Sequence, residues 1–397
     1  MDVSPAPVPP HPVKTLQKQW LEALGAFSHV LTLMSAPFCF LLLFLLLVTW
    51  LWPLSVLYMM WLYLDRDTPS QGGRQFVWPR TWAIWKHQRD YFPIKLVKTV
   101  ELPPSQNYVL GAHPHGIMGT GAFCNFLTES NDFSQLFPGL QPWLAMLSGI
   151  FYLPLFQEYI MMHGLCPVSL NSLDFVLCQP RRSQAVVIVI GGAQEALYMA
   201  RRRHSLELLN RKGFVRLALR HGASLVPVYS FGENDTFRCK AFPKGSWQYL
   251  CQVTCKRVTS IAPCIFWGCG LFLPKSWGLL PLSVPITTVV GGPIPVPQCS
   301  SPSQEQVDHY HTTTGSIWTP WSEPSMLRTG VGSGEGLERP KLMQTGTLAS
   351  ALVSPSPGCD DGDNDDEKMA FRSSSVASSP RPVGLSLLLA GTGSERW

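Results

Sequence analysis

Two histidines one residue apart, in His113-Pro114-His115-Gly116, follow a short apolar run, Tyr108-Val109-Leu110-Gly111-Ala112. The run reads as a strand. Both imidazoles then stand where a buried strand ends, with Pro114 fixing the backbone between them and Gly116 letting it turn away. Imidazole exchanges a proton near neutral pH without special tuning. A pair of them at a strand end is where a general base is expected; two turn histidines with ordinary hydrogen bonds are the plainer alternative.

A second cluster, Gly191-Gly192-Ala193-Gln194-Glu195-Ala196-Leu197, follows the apolar run 185–190. Gly191 and Gly192 would let backbone N–H groups approach an anion or oxyanion closely. Parallel strands present their C-terminal ends together, so Glu195 is expected at the same sheet edge as the histidines. There it could orient an imidazole or hold a substrate hydroxyl; a helix-capping Glu in a Gly-rich turn is the alternative. A third cluster, Phe231-Gly232-Glu233-Asn234, lies beyond the run 224–229 and brings Glu233 and Asn234 to that edge. Tyr91-Phe92-Pro93 precedes the first strand and is expected to pack over the site, an aromatic turn being its bland counterpart.

Between Arg181 and Arg220 there are nine Lys or Arg, Arg211 and Lys212 among them, against Glu195 and Glu207. Such a patch beside a glycine loop suits phosphates or an anionic lipid surface, and a solvated face is the third option. Together the clusters fit a reaction between an anionic, phosphate-bearing donor and a lipid alcohol. A His base takes the hydroxyl proton while backbone N–H groups stabilise the oxyanion. No Gly-x-Ser-x-Gly elbow supplies a serine nucleophile, so direct transfer in a ternary complex is more natural than an acyl-enzyme.

The elements that must hold these groups are strands and helices in alternation. Runs at 107–112, 185–190, 224–229 and 286–290 are near-continuously apolar, which suits a sheet covered on both faces. A helical pattern such as Phe214-Val215-Arg216-Leu217-Ala218-Leu219 lies between two of them, which argues for parallel βαβ units. The expectation is one α/β domain over 66–311. Residues 1–29 are expected to be an N-terminal cytosolic segment. From Val30 to Leu64 the chain runs 35 residues without a charge, about 52 Å as one helix against a hydrocarbon layer of about 30 Å. Pro37 and Pro53 divide the run, so a transmembrane helical hairpin is expected over 30–65, with helices Phe38–Trp52 and Leu54–Leu64. Lys14 and Lys18 before it and Arg66, Arg74, Arg80 and Lys86 after it put both ends in the cytosol. A single tilted span is the competitor, and a glycan on the acceptor sequence Asn234-Asp235-Thr236 would rule the hairpin out. After His311 the chain turns rich in Ser, Gly, Thr and Pro and carries the acidic run Asp360–Glu367. The segment 312–397 is expected to be a disordered tail, because little apolar surface offsets its chain entropy.

Composition agrees with a protein partly in lipid: 46% hydrophobic and only 14% charged, against roughly 25% charged in soluble domains. The net charge of +5 is mild, and no nucleic-acid-binding signature accompanies it. The 11 cysteines lack zinc-finger spacing and read as reduced thiols.

These motifs resemble the type-2 diacylglycerol acyltransferase family, and within it the monoacylglycerol acyltransferases (2-acylglycerol O-acyltransferases). The likeness is carried by Leu16-Gln17-Lys18-Gln19, Gln71-Gly72-Gly73-Arg74, Asp90-Tyr91-Phe92-Pro93, the His-Pro-His-Gly block, Gly191–Leu197, Arg211-Lys212-Gly213-Phe214 and Phe231-Gly232-Glu233-Asn234, and runs from about residue 14 to His311. The resemblance implies multi-pass endoplasmic-reticulum enzymes with a cytosolic catalytic domain. They pass an acyl group from acyl-CoA, a co-substrate, to monoacylglycerol and in some members to diacylglycerol. They need neither metal nor other cofactor, and self-association or pairing with related acyltransferases is among the partnerships implied. The implied fold is a membrane-anchored, glycerolipid-acyltransferase-like α/β mixed sheet with flanking helices.

On this chain His113, His115 and Glu195 are then the expected catalytic group, and Tyr91, Phe92, Pro93, Gly116, Gly191, Gly192, Arg211, Lys212, Glu233 and Asn234 the expected substrate contacts. Two departures stand out. The wider group has an Asp five positions after the catalytic His. Here Met118 and Thr120 stand five after the two histidines, so Glu195 is the candidate orienting carboxylate. From Thr312 onward the chain has no likeness to the family's helical C-terminal segment. A lipid alcohol other than a glyceride as acceptor, or a non-catalytic lipid-binding or partner form, are the competing readings.

Overall fold

A computed structural model describes residues 14–181, 183–198, 208, 210–243, 245–259, 262–271 and 276–321. Arg182, Arg201, Arg202, Arg203 and the tail from 322 lie outside the described residues.

The described residues form ten strands, of which β2, β5, β6 and β10 are the four apolar runs: β1 (Lys95–Lys98), β2 (Tyr108–His113), β3 (Gln141–Met146), β4 (Leu165–Pro167), β5 (Gln184–Val189), β6 (Ser224–Phe231), β7 (Arg238–Lys240), β8 (Ile265–Cys269), β9 (Trp277–Gly278) and β10 (Thr287–Val290). Seven form one mixed sheet in the order β1-β10-β6-β2-β5-β3-β4, and β7-β8-β9 form a small second sheet. β2 to β6 run parallel, whereas β10 is antiparallel to β6 and carries β1 parallel to itself. β5 and β6 flank β2 on opposite sides, so strand order reverses around β2, and such a switch point opens a crevice at the strands' C-terminal ends.

Alternation along β2 sends Tyr108, Leu110 and Ala112 into one core and Val109 into the other. The period of two places Gly111 and His113 on the face of Val109. Counting helices of seven residues or more, α1 (Leu16–Leu47), α2 (Trp52–Leu64), α3 (Ala83–Tyr91) and α4 (Phe156–Met162) come before β4. α5 (Leu170–Leu177), α6 (Gly192–Tyr198), α7 (Gly213–His221), α8 (Trp247–Thr259) and α9 (Gln304–Trp321) follow it. The first core holds Ala26 of α1, Trp85 of α3 and Ile160 of α4; the second holds Leu173 of α5, Phe214 and Leu217 of α7, and Val307 and Trp318 of α9. The sheet is therefore covered on both faces, as its uninterrupted apolar strands require.

The amino-terminal region departs from the expected partition. Thr15 caps α1 by accepting from the Lys18 N–H at 3.3 Å. The first half of the helix docks on α3, where a side chain at Gly25 would meet the Gln88 backbone nitrogen at 2.8 Å. Ala26 and Val30 are buried by this docking, Val30 with Phe237 and flanked by Ile117 and Met118. The domain thus starts well before residue 66, and the lipid-like hairpin starts after the docked half. α1 bends by 56° between Leu16–Ser35 and Phe38–Leu47. The bent half pairs with α2, and the Ser55 hydroxyl donates to the Leu43 carbonyl at 3.4 Å. Tyr58 ties α2 to the domain, donating to Glu158 at 2.9 Å and accepting from the Leu155 N–H at 2.6 Å. Among the described residues no single helix is long and apolar enough to cross a membrane.

The carboxyl-terminal boundary moves as well. α9 passes straight through His311 and ends at Trp321, so residues 312–321 belong to the domain rather than to a disordered tail. Its buried residues are Val307, His311, Thr314, Trp318 and Trp321, one helical stripe at spacings of three and four. The Ser and Thr between them lower the mean hydropathy that suggested disorder. Their hydroxyls are satisfied inside the helix: Thr313, Thr314 and Thr319 donate to the carbonyls of His309, Tyr310 and Gly315, the back-bonding open to β-hydroxyl residues.

Candidate active site

His113 is the last residue of β2 and is fully buried, and the His113–Pro114 peptide is cis. β5 ends beside it and turns through Gly191 into α6, whose first turn carries Glu195. Gly191 is required by close approach: a Cβ there would stand 2.5 Å from Glu195 Cδ. The Glu195 carboxylate reaches back across the strand ends. Its Oε2 lies 3.1 Å from His113 Nδ1, and its Oε1 accepts the His115 backbone N–H at 3.0 Å. One side chain therefore holds both the imidazole and the loop that follows it.

Burial pushes the Glu195 carboxyl up, but its hydrogen bond and charge interaction with His113, with the His115 N–H, outweigh this and hold it below its ordinary range. An ionised carboxylate can only accept, so His113 Nδ1 carries a proton, and in the neutral imidazole the lone pair is at Nε2. That Nε2 is buried and has no hydrogen-bond partner among the described residues. His115 differs. It is half-buried, and its Nδ1 lies 3.0 Å from the Gly116 carbonyl; among the described residues its ring hydrogen-bonds no carboxylate, although the Glu195 charge is felt there.

Glu233 and Asn234 stand beyond the end of β6, both buried. The two Glu233 oxygens accept the backbone N–H groups of Thr120 and Gly121, each at 2.8 Å. Gly116, at φ +60°, leaves the space through which Glu233 Cγ passes. Glu233 thus clamps the turn after the His-Pro-His-Gly loop; it is a brace for the loop and not an open contact for substrate. Burial raises it to about 7, against the lowering effect of the two N–H bonds.

Tyr91, Phe92 and Pro93 reach the same edge but do not cover the histidine. Lys95 pairs with Thr287 and Thr287 with Phe231, so the triplet sits three strand positions from β2, about 14 Å by strand spacing. Tyr91 donates to the Pro281 carbonyl at 2.6 Å and Phe92 is in the core. Arg211 and Lys212 stand at the start of α7, at the edge from which that helix runs back. Lys212 is ion-paired to Asp308 of α9 at 2.5 Å, so it joins two helices. Gly192 begins α6 with φ +54°.

Two residues at the site escaped the sequence reading. Tyr229 of β6 pairs in register with His113 and lies close enough to Glu195 that the carboxylate's charge adds to burial in raising its phenol. Trp318 of α9 meets the His113 ring at 5.0 Å between centroids and 78° between planes. Tyr229 could have been found by counting along its strand; Trp318 had no local signal, since it lies where the family motifs had stopped. Among the described residues no three His, Cys, Asp or Glu side chains gather to hold a metal, and the described cysteines are free thiols.

Residues 44–316 match the Diacylglycerol acyltransferase family. The chain is 66% identical over 312 residues to 2-acylglycerol O-acyltransferase 3 of Homo sapiens, covering 78% of this chain and 92% of that protein. It is 49% identical over 306 residues to Diacylglycerol O-acyltransferase 2 of Danio rerio, covering 77% and 85%. Among solved structures, a 1-acyl-sn-glycerophosphate acyltransferase from Thermotoga maritima aligns with 79% of this chain and 98% of its own at 10% identity and a TM-score of 0.35.

Proposed function

The chain belongs to the diacylglycerol acyltransferase family, and from that premise we propose that it transfers a fatty acyl group from acyl-CoA to a monoacylglycerol hydroxyl, with diacylglycerol as a further acceptor. The observation that carries the chemistry is the buried Glu195–His113 pair with Nε2 left open. The acceptor hydroxyl donates its proton to His113 Nε2 as its oxygen attacks the thioester carbonyl. Glu195 holds the Nδ1–H and stabilises the imidazolium that forms, as an orienting carboxylate does in nucleophile–base–acid systems. Collapse of the tetrahedral intermediate expels the CoA thiolate, which takes the proton from Nε2. The reading needs no metal, and activity is expected to survive a strong chelator.

The hairpin gives this chemistry its place. Phe38–Leu47 and Trp52–Leu64 are about 15 and 20 Å long at 1.5 Å per residue, shorter than the hydrocarbon core. A hairpin of that depth enters one leaflet and returns, leaving both flanks and the catalytic domain on the cytosolic side of the endoplasmic reticulum. The glycan test loses force: Asn234 and Thr236 are both buried, so the acceptor sequence is inaccessible in the folded chain on either side.

The deciding experiment supplies membranes bearing the full chain with labelled oleoyl-CoA and, in turn, monoacylglycerol, diacylglycerol, a long-chain alcohol and retinol. Diacylglycerol formation that falls about 10²-fold or more in His113→Ala, the scale of a lost general base, supports the reading. Unchanged ester synthesis in that variant would remove it.

A further inference from the structure

His113 is held at Nδ1 by Glu195, but a hydrogen bond at one ring atom leaves the imidazole free to swing about it. The second restraint comes from the other end of the domain. Trp318 is fully buried on α9 and meets the His113 ring edge to face, a favoured geometry for aromatic pairs. The indole is itself fixed. Its Nε1–H donates to the Val228 carbonyl at 3.3 Å, one residue before the register partner of His113. Its six-membered ring lies over Gly111, two residues before His113 on the same face of β2. A Cβ at Gly111 would stand 2.7 Å from Trp318 Cη2 and Cζ2. Phe214 of α7 backs the indole at 6.0 Å. The base is thus built from three distant segments: the end of β2, the first turn of α6 and the last turns of α9.

We propose that Trp318 is a positioning residue for the acyl transfer, fixing the His113 ring so that Nε2 faces the acceptor hydroxyl. This rests on His113 being the base. It gives the segment after His311 a direct part in turnover. A side chain at Gly111 would collide with this indole and with Ile190 alike.

The test compares wild type, Trp318→Phe, Trp318→Ala, Glu195→Gln and the Trp318→Ala/Glu195→Gln double variant in membranes, each normalised to folded protein. Trp318→Ala is expected to lower kcat about 10-fold while KM for acyl-CoA stays within about twofold, because the indole is fully buried against the His113 ring. Trp318→Phe keeps an aromatic face and is expected to recover most of kcat. In the Glu195→Gln background, where the ring has already lost its orientation, removing the indole is expected to add less than threefold. The proposal is overturned if kcat per folded molecule is unchanged in Trp318→Ala, if Phe rescues no better than Ala, or if the two losses multiply in the double variant. His113→Ala is run alongside: its retaining full activity would instead fell the assignment of the base, while the rate at which diethylpyrocarbonate modifies the His113 peptide still reports whether Trp318 restrains that ring. An unchanged rate in Trp318→Ala counts against the proposal on its own.

Discussion

Glu195 and Glu233 are buried carboxylates a few residues beyond β5 and β6, the two strands that flank β2, and their surroundings drive them in opposite directions. Glu195 has an imidazole partner and is lowered; Glu233 accepts from two backbone N–H groups, and burial raises it to about 7. The consequences for stability differ in sign. Glu195 binds fewer protons folded than unfolded, so its contribution is present above the ordinary carboxylate range and is lost as pH falls through its lowered value. Glu233 binds more protons folded than unfolded between 4.5 and about 7, so it erodes stability as pH rises across that window. Glu233→Gln is expected to lower the melting temperature at pH 5, where an N–H loses its best acceptor at a cost of about 1–3 kcal/mol, and to flatten the decline between pH 5 and 7. Thermal melts at both pH values check it. At the same scale the two histidines separate. The Glu195 bond to residue 115 uses the backbone N–H, so His115→Ala retains it and is expected to cost much less turnover than His113→Ala or Glu195→Gln, each about 10²-fold. Steady-state kcat for the three variants decides this.

Helices α1 and α9 were the elements least legible from composition, for opposite reasons. Leu16–Ser35 looked like a polar lead-in followed by lipid-seeking chain, yet its buried Glu22, Ala26, His29 and Val30 recur at helical spacing and dock on the domain. α9 looked too rich in Ser and Thr, yet its stripe reaches Trp318 and Trp321. The two tryptophans do different work. Trp321 packs near Gly291, where a Cβ would meet its Cη2 at 3.0 Å, whereas it is the Trp318 ring that meets His113. Trp321→Ala is therefore expected to cost about 3 kcal/mol of stability, the scale of a large-to-small core change, with kcat per folded molecule unchanged. Unfolding melts paired with turnover measurements distinguish it from Trp318→Ala.

For the whole molecule the decisive geometry is the pairing of a sheet edge with the exposed apolar helices at the end of α1 and in α2. The hairpin exposes Phe38, Phe44, Trp50, Trp52 and Leu54, a surface that only lipid or another apolar partner would cover, while Tyr58 fastens it to the loop before α4. A single cysteine placed at the 48–51 turn, in a background with all 11 native cysteines replaced, is expected to resist a membrane-impermeant thiol reagent from the luminal side as well as from the cytosolic side. Luminal labelling would mean a helix that crosses.

The strand ends, the histidine pair at the end of β2 and the family were readable from the chain because they are local. Each depends on a few adjacent residues: a β-branched run, a proline between imidazoles, a glycine pair after a strand. Parallel strands already suggested Glu195 as a partner at that edge, but the tertiary structure alone decided which imidazole it meets. Glu195 reaches His113 across 82 positions of sequence because β5 lies beside β2, and Trp318 reaches it because α9 crosses the far face of the same strands. Sequence spacing carries no record of such contacts, since strand order in a sheet is set by how helices and strands bury their apolar faces together.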